Sequence, residues 1–127
     1  MTSYAKCIDK TEANQGVKFT ALVGSGGVTA GDPVKWSGTA KTVVTSTTTS
    51  DVIVGIARDT IAENSSVCVL GDGCLVLTPF TLTVGGKVGV GTSGTAGDLV
   101  DYSTGTLVGT VETAGTLASV VRVQIQY

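Results

Sequence analysis

Gly31-Asp32-Pro33-Val34 returns further along the chain as Gly85-Gly86-Lys87-Val88, at a constant offset. The same shift lays Thr29 on Thr83 and Val54-Gly55 on Val108-Gly109. It also lays Ser65-Ser66-Val67-Cys68-Val69 on Ser119-Val120-Val121-Arg122-Val123, with no gap anywhere. Matches of Gly, Val and Thr are common in such a chain, so the weight falls on their order. Each copy reads as a Gly turn, a strand, a loop, a strand ending in Val-Gly, a loop and an alternating strand. Recurrence at a fixed spacing marks repeated units that bury apolar faces against each other. Two β units of similar plan, about residues 26–77 and 80–127, are the expectation.

Working outward, Gly31-Asp32 forms a tight turn into a strand that reaches Trp36. Lys41 to Thr49 is Thr-rich, and Thr45-Ser46-Thr47-Thr48-Thr49-Ser50 reads as an exposed loop. Val52-Ile53-Val54-Gly55-Ile56-Ala57 is apolar on both faces, the pattern of a buried strand. Val67-Cys68-Val69-Leu70 follows, then a Gly71-Asp72-Gly73 kink or hairpin and Cys74-Leu75-Val76-Leu77. The second unit offers strands over Lys87 to Val90, Leu99 to Tyr102, Thr106 to Val111 and Ala118 to Gln126. In the last, Val121, Val123 and Ile125 alternate with Arg122, Gln124 and Gln126, so one face is wet. No stretch has a clear helical period, though a short helical turn near Ala57 to Ala62 stays open.

Composition agrees. The chain has 127 residues, the size of one domain, with 42% hydrophobic but only 5% aromatic residues. Its core must therefore come from Val, Leu, Ile and Ala. Thr and Val favour strands, and 18 Gly mark turns and bulges. Charged residues are only 14% and the net charge is −2. That lacks the basic footprint of nucleic-acid binding. Sparse charge also suggests apolar surface covered by a partner, since solubility otherwise leans on charge. No signal peptide and no run of membrane-helix length is present, so synthesis in a cytoplasm and no membrane partner are expected. Cys7, Cys68 and Cys74 are an odd set and read as small buried hydrophobes. Residues 1–15 hold Tyr4, Lys6, Ile8, Asp9, Lys10 and Glu12 but neither Val nor Leu. They read as an extended arm ahead of a single β domain over 16–127, either docked or a frayed terminus, the commoner case.

Motifs that imitate chemistry fail on context. The chain has no His, which removes the usual general base, the usual triads and most zinc sites. Gly89-Val90-Gly91-Thr92-Ser93-Gly94 matches a dinucleotide fingerprint, but β-patterned residues follow instead of a helix. Gly86-Lys87 precedes Val88, so no Walker loop exists. The turn at Gly31 also suggests a biotin- or lipoate-carrier domain, yet no hairpin Lys has the required neighbours. Asp32, Asp51, Asp59, Asp72, Asp98 and Asp101 sit mostly beside Gly or Thr, where carboxylates cap the amides of their own turns. No catalytic residue, cofactor or metal is expected, and no enzyme. Trp36, the sole Trp, suits core packing, with an interface or a sugar platform as the other uses.

Three segments in order resemble the capsid decoration (head cement) proteins of tailed phages. They are Gly26-Gly27-Val28-Thr29-Ala30-Gly31-Asp32-Pro33-Val34, Val54-Gly55-Ile56-Ala57 and Val67-Cys68-Val69-Leu70-Gly71-Asp72-Gly73. The closing Gly86-Lys87-Val88 and Leu107-Val108-Gly109-Thr110-Val111 are similar to the family as well. The resemblance spans about residues 16–127, and the arm is longer than the family's pattern. It implies a compact β-tulip or barrel-like domain that binds the outer surface of a capsid as a homotrimer. The implied partner is the major capsid protein, and the implied role is stabilising the shell by bridging its subunits. Tyr4, Lys6, Ile8 and Trp36 are the candidate capsid or inter-subunit contacts. The alternative is a receptor- or glycan-binding module of a virion fibre or surface array.

Overall fold

The computed structural model describes residues 6–7, 16–78, 80–92, 97–114 and 119–124. All regular elements among them are strands. They are β1 (Lys6–Cys7), β2 (Lys18–Val23), β3 (Pro33–Trp36), β4 (Thr42–Thr45), β5 (Gly55–Ala57) and β6 (Ser66–Leu70). Then come β7 (Leu75–Thr78), β8 (Lys87–Val90), β9 (Leu99–Asp101), β10 (Gly109–Ala114) and β11 (Ser119–Val123). The expected all-β barrel-like domain is present. Strands β2-β4-β3-β5-β6 close a barrel, and β1-β7-β11-β10-β8-β9 form a six-stranded sheet.

The two halves share one plan. In the barrel the neighbours run β4-β3-β5-β6-β2, and in the sheet they run β9-β8-β10-β11-β7. Hydrogen bonds recur at the same shift as the sequence. Gly31 N donates to Ala57 O at 2.8 Å, and Gly85 N to Val111 O at 2.9 Å. Val54 N donates to Val34 O at 2.9 Å, and Val108 N to Val88 O at 2.8 Å. Pro33 pairs with Ile56 as Lys87 pairs with Thr110.

The repeated glycines have reasons. Gly31 and Gly85 hold φ of 97° and 76°, a left-handed region that residues with a Cβ avoid. A Cβ on Gly55 would sit 2.6 Å from Leu70 O, and one on Gly109 would run into Arg122 O. The Val-Gly pairs thus mark where a neighbouring strand comes too close for any side chain.

Packing explains why the second half stays open. Inside the barrel lie Ala21, Val23, Val34, Val43, Ala57, Val67 and Val69. On the other face of the β5–β6 wall, Ile56, Cys68 and Leu70 join Val76, Val88, Leu99, Val121 and Val123 of the sheet. Strand β5 is therefore buried on both faces, as its apolar run predicts. Each fully buried Val, Leu or Ile contributes roughly 1.5–3 kcal/mol. Closing the sheet on itself would expel Ile53, Ile56 and Leu70 from that shared core. In the barrel β2 pairs in parallel with β4, whereas β7 receives the short antiparallel β1.

Some expectations needed correction. Val52 is 61% exposed, so the buried strand is shorter than the apolar run and begins at Gly55. Gly71-Asp72-Gly73 is no hairpin, because β6 belongs to the barrel and β7 to the sheet. The polar tract after Val44 is only partly a loop, since Thr45 ends β4 and Ser46 is fully buried. Residues near Ala57 to Ala62 are not helical; Ile61 instead bridges to Val28. Strand β2 was not named from the sequence, although Lys18 to Ala21 alternate polar with apolar as a strand does; the exposed but apolar Leu22 blurs the pattern at its end. The alternation at Ile125 and Gln126 lies outside the described residues.

Candidate functional site

Trp36 ends β3 in phase with the inward Val34, which puts it at the rim of the barrel. Its ring centroid lies 5.7 Å from that of Phe19 with the planes tilted 33°. The indole packs against Phe19, yet the side chain stays 49% exposed. It borders an open depression of about 400 Å³ with Gly38, Thr39, Ala40 and Lys41. Lys41 has φ of 57°, and its carbonyl accepts Leu22 N at 2.9 Å as β2 closes on β4. The left-handed backbone there serves barrel closure.

The other candidates lie elsewhere. Lys6 belongs to β1 on the edge of the six-stranded sheet, opposite Leu77. Strand pairing therefore puts Lys6 and Trp36 in different sheets. Tyr4 and Ile8 lie outside the described residues. Exposed Val17, Leu22 and Val84 were not singled out from the sequence, and Val52 read as buried; their type says apolar, and only the fold says uncovered.

Carboxylates mostly order loops. Asp51 Oδ2 accepts Ser46 Oγ at 2.9 Å, Thr47 N at 3.0 Å and Thr48 N at 3.1 Å, while Oδ1 accepts Lys35 Nζ at 3.0 Å. Burial pushes its pKa up, but Lys35 and these donors together outweigh burial and hold it well below the usual carboxylate range. The loop it orders reaches the second half, where Thr106 N donates to Thr49 O and Thr106 Oγ1 to Asp51 O, both at 2.7 Å.

Asp32 Oδ2 accepts Thr29 N at 3.0 Å and Thr45 Oγ1 at 2.7 Å. In the second half the carboxylate changes strand. Gly86 replaces Asp32, and Asp101, opposite Val88 as Thr45 is opposite Val34, accepts Thr83 N and Oγ1 at 3.0 Å. Burial and the charge of Asp98 raise the pKa of Asp32 against the pull of Thr29 and Thr45. Burial raises that of Asp98 as well.

Cys68 is a half-buried free thiol, Cys74 is buried with its thiol 3.6 Å from Val17 O, and the side chain of Cys7 is outside the described set. Among the described residues no group of three or more His, Cys, Asp or Glu could hold a metal ion. The described surface carries the indole rim, the exposed Val17, Leu22, Val52 and Val84, and the sheet edges β1 and β9.

No protein-family model matches the chain, and no curated protein matches it. Among solved structures, the chain is similar to the head fiber gp8.5 N base of bacteriophage phi29, with a TM-score of 0.60. The match covers 85% of this chain and 93% of that one, at 15% sequence identity. At that identity the likeness speaks for the fold.

Proposed function

We propose that this protein is a structural component of a tailed-phage virion that binds the outer surface of the capsid as a trimer. Its role is to stabilise the shell by bridging capsid subunits, in the manner of a β-tulip cement protein. The observation that carries this reading is the near full-length likeness to the base of a phage head fiber. That protein's place on a phage head supports a virion role for a chain of the same fold. The chemistry fits: carboxylates such as Asp51 and Asp32 are spent on their own loops, leaving adhesion as the means of action. A specific interface buries about 800 Å² per partner, and many copies multiply a modest contact. The test mixes purified protein with undecorated heads. Regular density on the capsid exterior and a higher temperature of DNA release are expected; bare shells would reject the proposal.

The half-exposed Trp36 beside an open depression favours a second reading, a glycan- or receptor-binding module. Indole faces are suited to stacking on amphipathic rings. A glycan array separates the two, because a cement protein gives no saccharide signal.

A further inference from the structure

In the first half every strand of the repeated plan has two neighbours, because β2 closes on β4. Lys41 O accepts Leu22 N, and Val43 O accepts Gly24 N, both at 2.9 Å. The counterpart of β4 in the second half is β9, which pairs with β8 alone among the described residues. The correspondence is close. Ser37 N donates to Thr42 O as Gly91 N donates to Asp98 O, and Ser46 N donates to Pro33 O as Tyr102 N donates to Lys87 O. Gly97 O and Leu99 O therefore stand where Lys41 O and Val43 O stand, turned away from β8. Among the described residues no other strand reaches them. An edge of unmet donors and acceptors is a template for another chain.

The charge on this edge selects the occupant. Asp98 and Asp101 flank Leu99 and Val100, so two copies meeting β9 to β9 would bring four carboxylates together. The other edge of the same sheet is β1, which contains Lys6. We propose that the β9 edge receives the β1 edge of a second copy of this chain, continuing the six-stranded sheet head to tail from protomer to protomer. This rests on the trimer proposed above and supplies its contact. Unlike edges generate rings when the rotation closes, and three copies make the smallest ring that is not a pair.

The test uses the full chain. Sedimentation is measured for wild type, Asp101→Ala and Asp101→Pro. Both variants lose the Thr83 contact, but only proline removes the amide donor facing away from β8, a change that edge strands tolerate. A trimer for wild type and Asp101→Ala, with Asp101→Pro at least tenfold weaker in association, is expected. A wild-type monomer, or a trimer unchanged by proline, overturns the inference. Should Asp101→Pro fail to fold, wild type provides the second measurement. Isotopically heavy and light chains are mixed and joined by a carbodiimide. Mixed peptides linking Lys6 to Asp98 or Asp101 support the contact, and their absence overturns it. Capsid occupancy of Asp101→Pro is scored separately: bound but monomeric protein removes this contact and leaves the capsid role standing.

Discussion

Removing the carboxylate of Asp51 is the sharpest perturbation the fold offers. Its side chain is 14% exposed and accepts four hydrogen bonds, one from the ammonium of Lys35. In Asp51→Ala, Lys35, Ser46 and the amides of Thr47 and Thr48 all lose their acceptor. Neutral bonds contribute about 1 kcal/mol each and the charged one about 2, but water replaces part of this at a loop. The net cost is about 3 kcal/mol. At roughly 4 °C per kcal/mol for a domain between the usual size classes, the midpoint falls by about 12 °C. Thermal unfolding followed by far-ultraviolet circular dichroism reads it. The pH dependence is the second reading. A pKa held low in the folded state stabilises above the unfolded value of about 3.9, and that stability is lost as pH falls through the folded value. The gap between wild type and Asp51→Ala should thus narrow below pH 4. A loss under about 1 kcal/mol at pH 7, or a gap indifferent to acid, refutes the reasoning.

Other expectations follow from the same geometry. Gly105→Ala places a Cβ against Thr49 O at a φ of 89°, so it should cost about 2 kcal/mol by denaturant titration, whereas a neutral result would mean the loop yields freely. Ile56→Ala removes a side chain shared by both halves and should cost 2–5 kcal/mol, on the order of other large-to-small core changes. It should do so in one transition seen alike by Trp36 fluorescence and circular dichroism; two transitions would show that the halves unfold separately. Asp32 is raised by burial and by Asp98, so its contribution is complete below the unfolded value and declines as pH rises through the folded one. Asp32→Asn should therefore compare better with wild type at pH 7 than at pH 4, and equal differences at both would refute the sign. In the native protein a maleimide should label Cys68 much faster than the buried Cys74, read by mass spectrometry.

Candidate contacts were less legible in the sequence than the fold. Trp36 reads from the sequence as core packing, with an interface or sugar platform as the other uses, and its half-exposed position depends on where the barrel ends. Asp51 was readable as a loop cap, while its bond to Lys35 required β3 to run beside that loop. Val17 and Val84 carry no mark of exposure in their own letters, because what covers a valine is a distant segment.

By itself the sequence determined the strand chemistry and the glycines on which a doubled order turns, while the pairing moved β2 (Lys18–Val23) into the first copy and β7 (Leu75–Thr78) into the second. The chemistry and the glycines are local facts: β-branched residues favour extension, and a turn at positive φ or a strand approach without room for Cβ leaves only glycine. Tertiary structure decided that one copy closes and the other does not, because Ile56 and Leu70 on the outside of the first fill the concavity of the second. Which side of a strand becomes an outer wall depends on what packs there, and no window of neighbouring residues contains that information.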